Sequence, residues 1–106
     1  MRLIIPGIAK VGAHDFKVRW SPKILDLLEA KGGSEYRNDH FVRLMPGRPV
    51  SQSFQTLMHE GIHQIDHVFD AGELSENQVC TLAAGIAQFL MSLGIEPDFS
   101  QILNEE

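Results

Sequence analysis

Two histidines four residues apart, with a glutamate directly after the first, form the chemically most informative stretch of the chain: His59-Glu60-Gly61-Ile62-His63. On an α-helix, residues i and i+4 stand one turn apart on the same face. His59 and His63 can therefore aim two imidazole nitrogens at one point. That supplies two of the three protein ligands a catalytic zinc site uses. Glu60 would lie beside such a metal rather than on it, where it can take a proton from a zinc-bound water. This is the general-base role in metal-assisted hydrolysis. A surface helix can carry the same letters without that chemistry, so the surrounding sequence has to decide.

Zinc hydrolases usually add one more protein ligand and leave a position for water. Four side chains after the motif are candidates. His67 continues the same helix, but it lies about 12 Å along the axis from His59, and a straight helix cannot bring all three histidines to one ion. Asp66 suffers from the same distance and suits a supporting role or the capping of the helix end. Glu73 falls in a loop. Glu76 opens the next helix and would approach from a second direction, as tetrahedral geometry requires, although an acidic residue in a first helical turn is also favoured by the helix dipole alone. Glu76 is the preferred third ligand on these grounds, with His67, Asp66 and Glu73 left open.

The motif needs a helix to carry it, and the spacing predicts one over residues 52–69. Ser51 or Ser53 is its expected cap, and no proline interrupts it. Phe54, Leu57, Met58, Ile62, Ile65 and Phe69 provide core contacts. Gly61 costs about 1 kcal/mol relative to alanine in a helix interior, which suggests a close approach by a neighbouring backbone. Asp70-Ala71-Gly72 ends the helix. Ser75-Glu76-Asn77-Gln78 is a capping-box sequence and starts a helix running to Leu93, before Gly94. Val79, Leu82, Ala83, Ile86, Phe89, Leu90 and Leu93 form its core-facing stripe. Cys80 lies within it and reads as a small buried apolar residue, not as a nucleophile or ligand.

Before the motif, residues 3–20 predict a β-hairpin. Phe16, Val18 and Trp20 alternate with charged residues, Gly12 permits the turn, and His14 is a solvated turn residue at its tip. Ser21-Pro22 opens a helix that Gly32-Gly33 closes, followed by a polar loop in which Tyr36 packs. Residues 40–45 form a further strand, stopped by Pro46-Gly47-Arg48-Pro49. That strand, or one of the hairpin, could offer its edge to an extended peptide. Residues 95–106 form a polar tail whose Phe99, Ile102 and Leu103 dock back. The expected fold class is therefore α+β: a small antiparallel sheet from 3–20 and 40–45 packed on the metal helix, with helix 75–93 behind it.

At 106 residues and 43% apolar composition, a single domain spanning 1–106 is expected. No apolar run is long enough to span a membrane, and Met1–Pro6 is too short for a signal peptide. The single cysteine fits a reducing compartment, hence the cytoplasm. All nine Lys and Arg fall within residues 1–50, which carry five acids and net +4, whereas residues 51–106 carry nine acids and no base. Two oppositely charged layers that attract each other explain this division. Nucleic-acid binding is not supported, because no Arg/Lys run with interleaved aromatics occurs. No glycine-rich nucleotide motif is present either.

The segment Thr56-Leu57-Met58-His59-Glu60-Gly61-Ile62-His63-Gln64-Ile65-Asp66-His67 resembles the T-L-x-H-E-x-x-H-x-I-D segment of small zinc metallopeptidase-like proteins of phages and prophages, which are similar to a minimal gluzincin core. Leu74-Ser75-Glu76, Gln78-Val79 and Leu82-Ala83 resemble that family's L-S-E-x-Q-V segment and following helix. The hairpin with Gly12 and Phe16-Lys17-Val18 also fits. The resemblance covers most of residues 8–93 and is sharp over 56–83. It implies a zincin-like domain with one zinc per chain, Glu76 as third ligand and a structural place for Asp66. Gly61 departs from it, standing where a bulky aliphatic residue is usual. The implied activity is hydrolysis of a peptide bond in a peptide or protein substrate, in a bacterial host or encoded by a phage, with room for a protein partner and none for nucleic acid or membrane. The alternatives are a non-catalytic zinc-binding or protein-interaction domain, and a regulatory protease with a single target.

Overall fold

A computed structural model describes residues 1–21, 40–69 and 72–105. The helix expected from Pro22 to Gly33, the loop with Tyr36, and Asp70 and Ala71 lie outside the described residues. Strand alternation is realised in β3 (His14–Trp20), whose Phe16 and Val18 are buried while Asp15 and Lys17 face solvent. β2 (Ile8–Val11) folds back on β3 as an antiparallel hairpin, Val11 opposite His14. Gly12 turns the chain at φ 59°, and a Cβ there would stand 2.7 Å from Val68 Cγ1.

The hairpin begins at Ile8, not at residue 3. Pro6-Gly7 interrupts the strand, and the Gly7 carbonyl accepts both the Val18 amide (2.9 Å) and the Arg19 guanidinium (2.7 Å). The residues before the break, β1 (Arg2–Ile4), pair in parallel with β5 (Glu96–Asp98) in a separate two-stranded sheet.

The main sheet is mixed rather than antiparallel. β4 (Phe41–Leu44) runs parallel to β3, and β6 (Leu103–Asn104) runs parallel to it beside Arg19 and Trp20. A parallel pair cannot be closed by a tight turn; residues 21–40 carry the chain from the end of β3 back to the start of β4. Sequence alternation records burial, not strand direction, which is why the expectation of an antiparallel sheet failed. The supposed polar tail supplies two strands, and its Phe99 and Ile102 join the core while Leu103 stays exposed.

Two helices complete the described α+β fold. α1 (Val50–Phe69) starts just after Pro49, whose carbonyl accepts the Ser53 amide at 3.0 Å, so Ser51 and Ser53 lie inside the helix instead of capping it. Its fully buried Phe54 enters the core formed by Ile5, Phe16, Val18, Val42 and Leu44. α2 (Glu76–Ser92) has α1 as its main neighbour. Neither helix is long and apolar enough to cross a membrane.

The buried stripe of α2 is narrower than its apolar pattern suggests. Val79, Ala83 and Ala87 are buried, whereas Leu82, Ile86, Phe89 and Leu93 remain 40–63% exposed. A single packed helix covers only the strip along the line of closest approach, and small side chains permit that approach. The larger residues flank it.

The basic and acidic halves of the chain meet as expected. Arg43 on β4 donates from Nε and Nη2 to the Glu105 carboxylate at 2.8–3.0 Å, with side chains only 5% and 17% exposed. Arg2 pairs with Asp98 at 3.2 Å. Hydrogen bonds from Ser100, and then the Arg2 charge, hold the Asp98 carboxyl below its ordinary value. Its contribution is thus complete at neutral pH and is lost only as acid titrates it through that lowered value.

Among the described residues, Gly61 meets no atom within 4 Å of an added Cβ and no backbone outside its own helix approaches it closely, so Gly61→Ala should raise unfolding free energy by about 0.5–1 kcal/mol in urea titration. Gly12→Ala should lower it by at least about 1 kcal/mol; the reverse order would contradict the packing. Glu105→Gln removes this counter-charge from a buried guanidinium. It should cost about 2–3 kcal/mol, below the figure for fully enclosed pairs because Glu105 keeps some solvent contact.

Candidate metal centre

α1 places His59 and His63 one turn apart with ring centroids 4.8 Å from each other. Glu76, in the first turn of α2, reaches between them. His59 Nε2 lies 2.9 Å from Glu76 Oε1, His63 Nε2 lies 3.0 Å from Glu76 Oε2, and the two Nε2 atoms are 3.1 Å apart. His63 is the buried corner at 7% side-chain exposure, while Glu76 is 54% exposed and opens the group to solvent.

Hydrogen bonding can join each ring to its own oxygen of Glu76, but it leaves the two Nε2 atoms facing each other at 3.1 Å. Each Nε2 carries at most one proton, and an ionised carboxylate only accepts. If both rings point Nε2–H at Glu76, the two nitrogens confront each other as donors. If one Nε2 is deprotonated, its lone pair either faces a carboxylate oxygen or takes the other ring's proton away from Glu76. A cation between the two Nε2 atoms and the Glu76 carboxylate would take a lone pair from each of the three side chains. N and O donors about 2.0–2.2 Å from a tetrahedral ion stand about 3.3–3.6 Å from one another, so the observed contacts would open by a few tenths of an ångström around such an ion.

The sequence order of α2 brings a further donor. Cys80 follows Glu76 by one helical turn, and its Sγ lies 3.7 Å from Glu76 Oε1 and 3.8 Å from His59 Nδ1. His59, Glu76 and Cys80 offer ligand atoms within 4.8 Å of one another, a set that can hold a metal ion. The expectation of a buried, inert Cys80 is therefore corrected: the residue is exposed and faces the site. The narrow helix contact explains the error, since burial goes to Val79 and Ala83 on either side of it. The available signal was the i, i+4 spacing from Glu76, which puts both residues on one face. Desolvation first, then the Glu76 charge and hydrogen bond, push the Cys80 thiol above its ordinary value.

The α1–α2 connection fixes Glu76. Ser75 Oγ accepts the Gln78 amide at 3.1 Å and Gln78 Oε1 accepts the Ser75 amide at 2.8 Å, completing the predicted capping box. Asp66 is buried, and both its oxygens lie 3.2 Å from the Leu74 amide, while its own carbonyl accepts the Gly72 amide. Asp66 thus ties down the segment leading to Glu76 and is not a donor in the triangle.

The remaining candidates fall elsewhere. His67 is exposed and sits against Gly72. Glu73 is exposed in the connection. His14 opens β3, its ring 5.5 Å from that of His40, which adopts φ 62° and packs edge-on against Phe16. Glu60, next to His59 on α1, is half-buried.

If Asp66 positions Glu76 through this loop, Asp66→Ala should lower stability by about 1–3 kcal/mol through the buried amide it abandons and should weaken metal binding in a chelator competition. Unchanged metal affinity in a folded variant would separate Asp66 from the site.

No protein-family model matches the chain, and neither a curated protein nor a solved structure matches it.

Proposed function

We propose that the chain is a zinc-dependent peptidase with a minimal gluzincin-like centre, in which His59, His63 and Glu76 hold one zinc ion and Glu60 is the general base. The observation that carries this reading is the three-cornered group of His59, His63 and Glu76, joined by contacts of 2.9–3.1 Å. Two of its corners come from an H-E-x-x-H sequence on a continuous helix, and the third comes from a capped second helix. The T-L-x-H-E-x-x-H-x-I-D and L-S-E-x-Q-V resemblance supports the same ligand set and a phage or prophage setting.

Bound there, zinc supplies a Lewis acid that polarises a peptide carbonyl and lowers the pKa of water. The side chains of the chain do the rest. His63, buried against the protein, fixes the position of the centre, and the exposed Glu76 side leaves a way in for peptide and water. Glu60 projects beside the His59/His63 face instead of into it, as the residue after a ligand does on a helix. It takes a proton from the attacking water. As the carbon–nitrogen bond breaks, it returns that proton to the departing amine. The lone cysteine fits action in a reducing cytoplasm.

One observation favours a second reading. If Cys80 Sγ turns inward as a fourth ligand, the centre is closed and the zinc is structural, as in four-ligand sites. The domain would then act by binding a protein partner.

Wild-type protein purified without added zinc should carry about one zinc per chain, and both His63→Ala and Glu76→Ala should lose it. Glu60→Gln should keep the metal and lose peptide cleavage by about 100-fold or more. Cleavage within a fewfold of wild type in Glu60→Gln would remove Glu60 from the mechanism; zinc retained in Glu76→Ala would remove the third ligand.

A further inference from the structure

We infer that Cys80 is a positioning residue for the metal centre, a thiol that links the far side of His59 to Glu76 and so holds two ligands in register. The inference rests on the metal reading above. With His59 Nε2 turned toward His63 and Glu76, the ring's other nitrogen faces away from the triangle. A histidine that ligates through Nε2 carries its proton on Nδ1, and that proton needs an acceptor. In metal sites the acceptor is ordinarily a carboxylate, a backbone carbonyl or water. Here the atom in place is Cys80 Sγ, 3.8 Å from His59 Nδ1.

The same sulfur lies 3.7 Å from Glu76 Oε1 and can donate to it. A thiol both accepts and donates, though weakly. Cys80 can therefore take the His59 proton contact on a lone pair and give its own S–H to the carboxylate. Both partners are ligands, one from each helix. The link therefore spans the α1–α2 interface at the point where the centre is assembled. Glu76 and Cys80 share a face of α2 because they are four residues apart, so fixing Cys80 also fixes the direction of Glu76.

The test compares zinc affinity, by competition with a chromophoric chelator, in wild type, Cys80→Val and Cys80→Ser. Valine keeps the size and removes both hydrogen-bonding capacities, whereas serine keeps both. Thermal unfolding of the metal-free proteins serves as the folding control. Cys80→Val should bind zinc about 10-fold or more weakly, the usual loss when an outer partner of a metal-bound histidine is removed. Cys80→Ser should stay within a fewfold of wild type. Equal affinity in Cys80→Val and wild type would overturn the inference, and so would equal losses in the valine and serine variants, which would signal packing alone. Cobalt-loaded wild type should lack the near-ultraviolet charge-transfer band of a metal-bound thiolate; a strong band would make Cys80 a ligand and overturn the positioning role. Failure of wild type to bind zinc or cobalt would defeat the underlying metal reading as well, whereas the other negative outcomes leave that reading standing.

Discussion

Where α1 meets α2, the Nε2 atoms of His59 and His63 stand 3.1 Å apart, and each lies within 3.0 Å of its own oxygen of the Glu76 carboxylate. Each ring can donate Nε2–H to its own carboxylate oxygen, and a cation held among the same atoms would use their lone pairs instead. Much of the described structure holds this group together. Two corners are fixed by helical geometry alone, because His59 and His63 are separated by one turn. The third must be delivered by a different element, and its delivery is the more demanding part.

Delivery of Glu76 depends on local bonds and on helix contact. Asp66 captures the Leu74 amide, and the Ser75/Gln78 capping box sets where α2 begins. Val79, Ala83 and Ala87 let the helices approach closely along most of their shared length. α1 is in turn anchored by Phe54 in a core that includes Phe99 and Ile102 from the end of the chain. The Arg43–Glu105 pair joins that end to β4, so the C-terminal segment supports the sheet on which α1 rests. The division of charge along the sequence thus has a structural outcome in bonds between its two halves.

Legibility in the sequence followed the range of the interactions concerned. The two helices, the capping box and the i, i+4 histidines were readable because they depend on residues within a few positions of each other. Glu76 was readable as a candidate because the cap fixed its place, although sequence alone could not separate it from His67, Asp66 and Glu73. The parallel pairing of β3 with β4 and β6 was not readable, because it depends on where long connections return. The same holds for β1, which Pro6-Gly7 detaches from the hairpin and which finds β5 more than ninety residues later. Cys80 was misread for a related reason. Its composition and neighbours suggested burial, but the line of closest helix approach, marked on α2 by buried Val79, Ala83 and Ala87, left it facing the site.

The most direct test of the central claim is the X-ray absorption fine structure of the zinc-loaded protein. The proposed centre predicts a first shell of nitrogen and oxygen donors near 2.0–2.2 Å, with outer-shell scattering from two imidazoles and no sulfur. A sulfur shell near 2.3 Å, scattering from a third imidazole, or zinc held in the same shell after Glu76→Ala would contradict it.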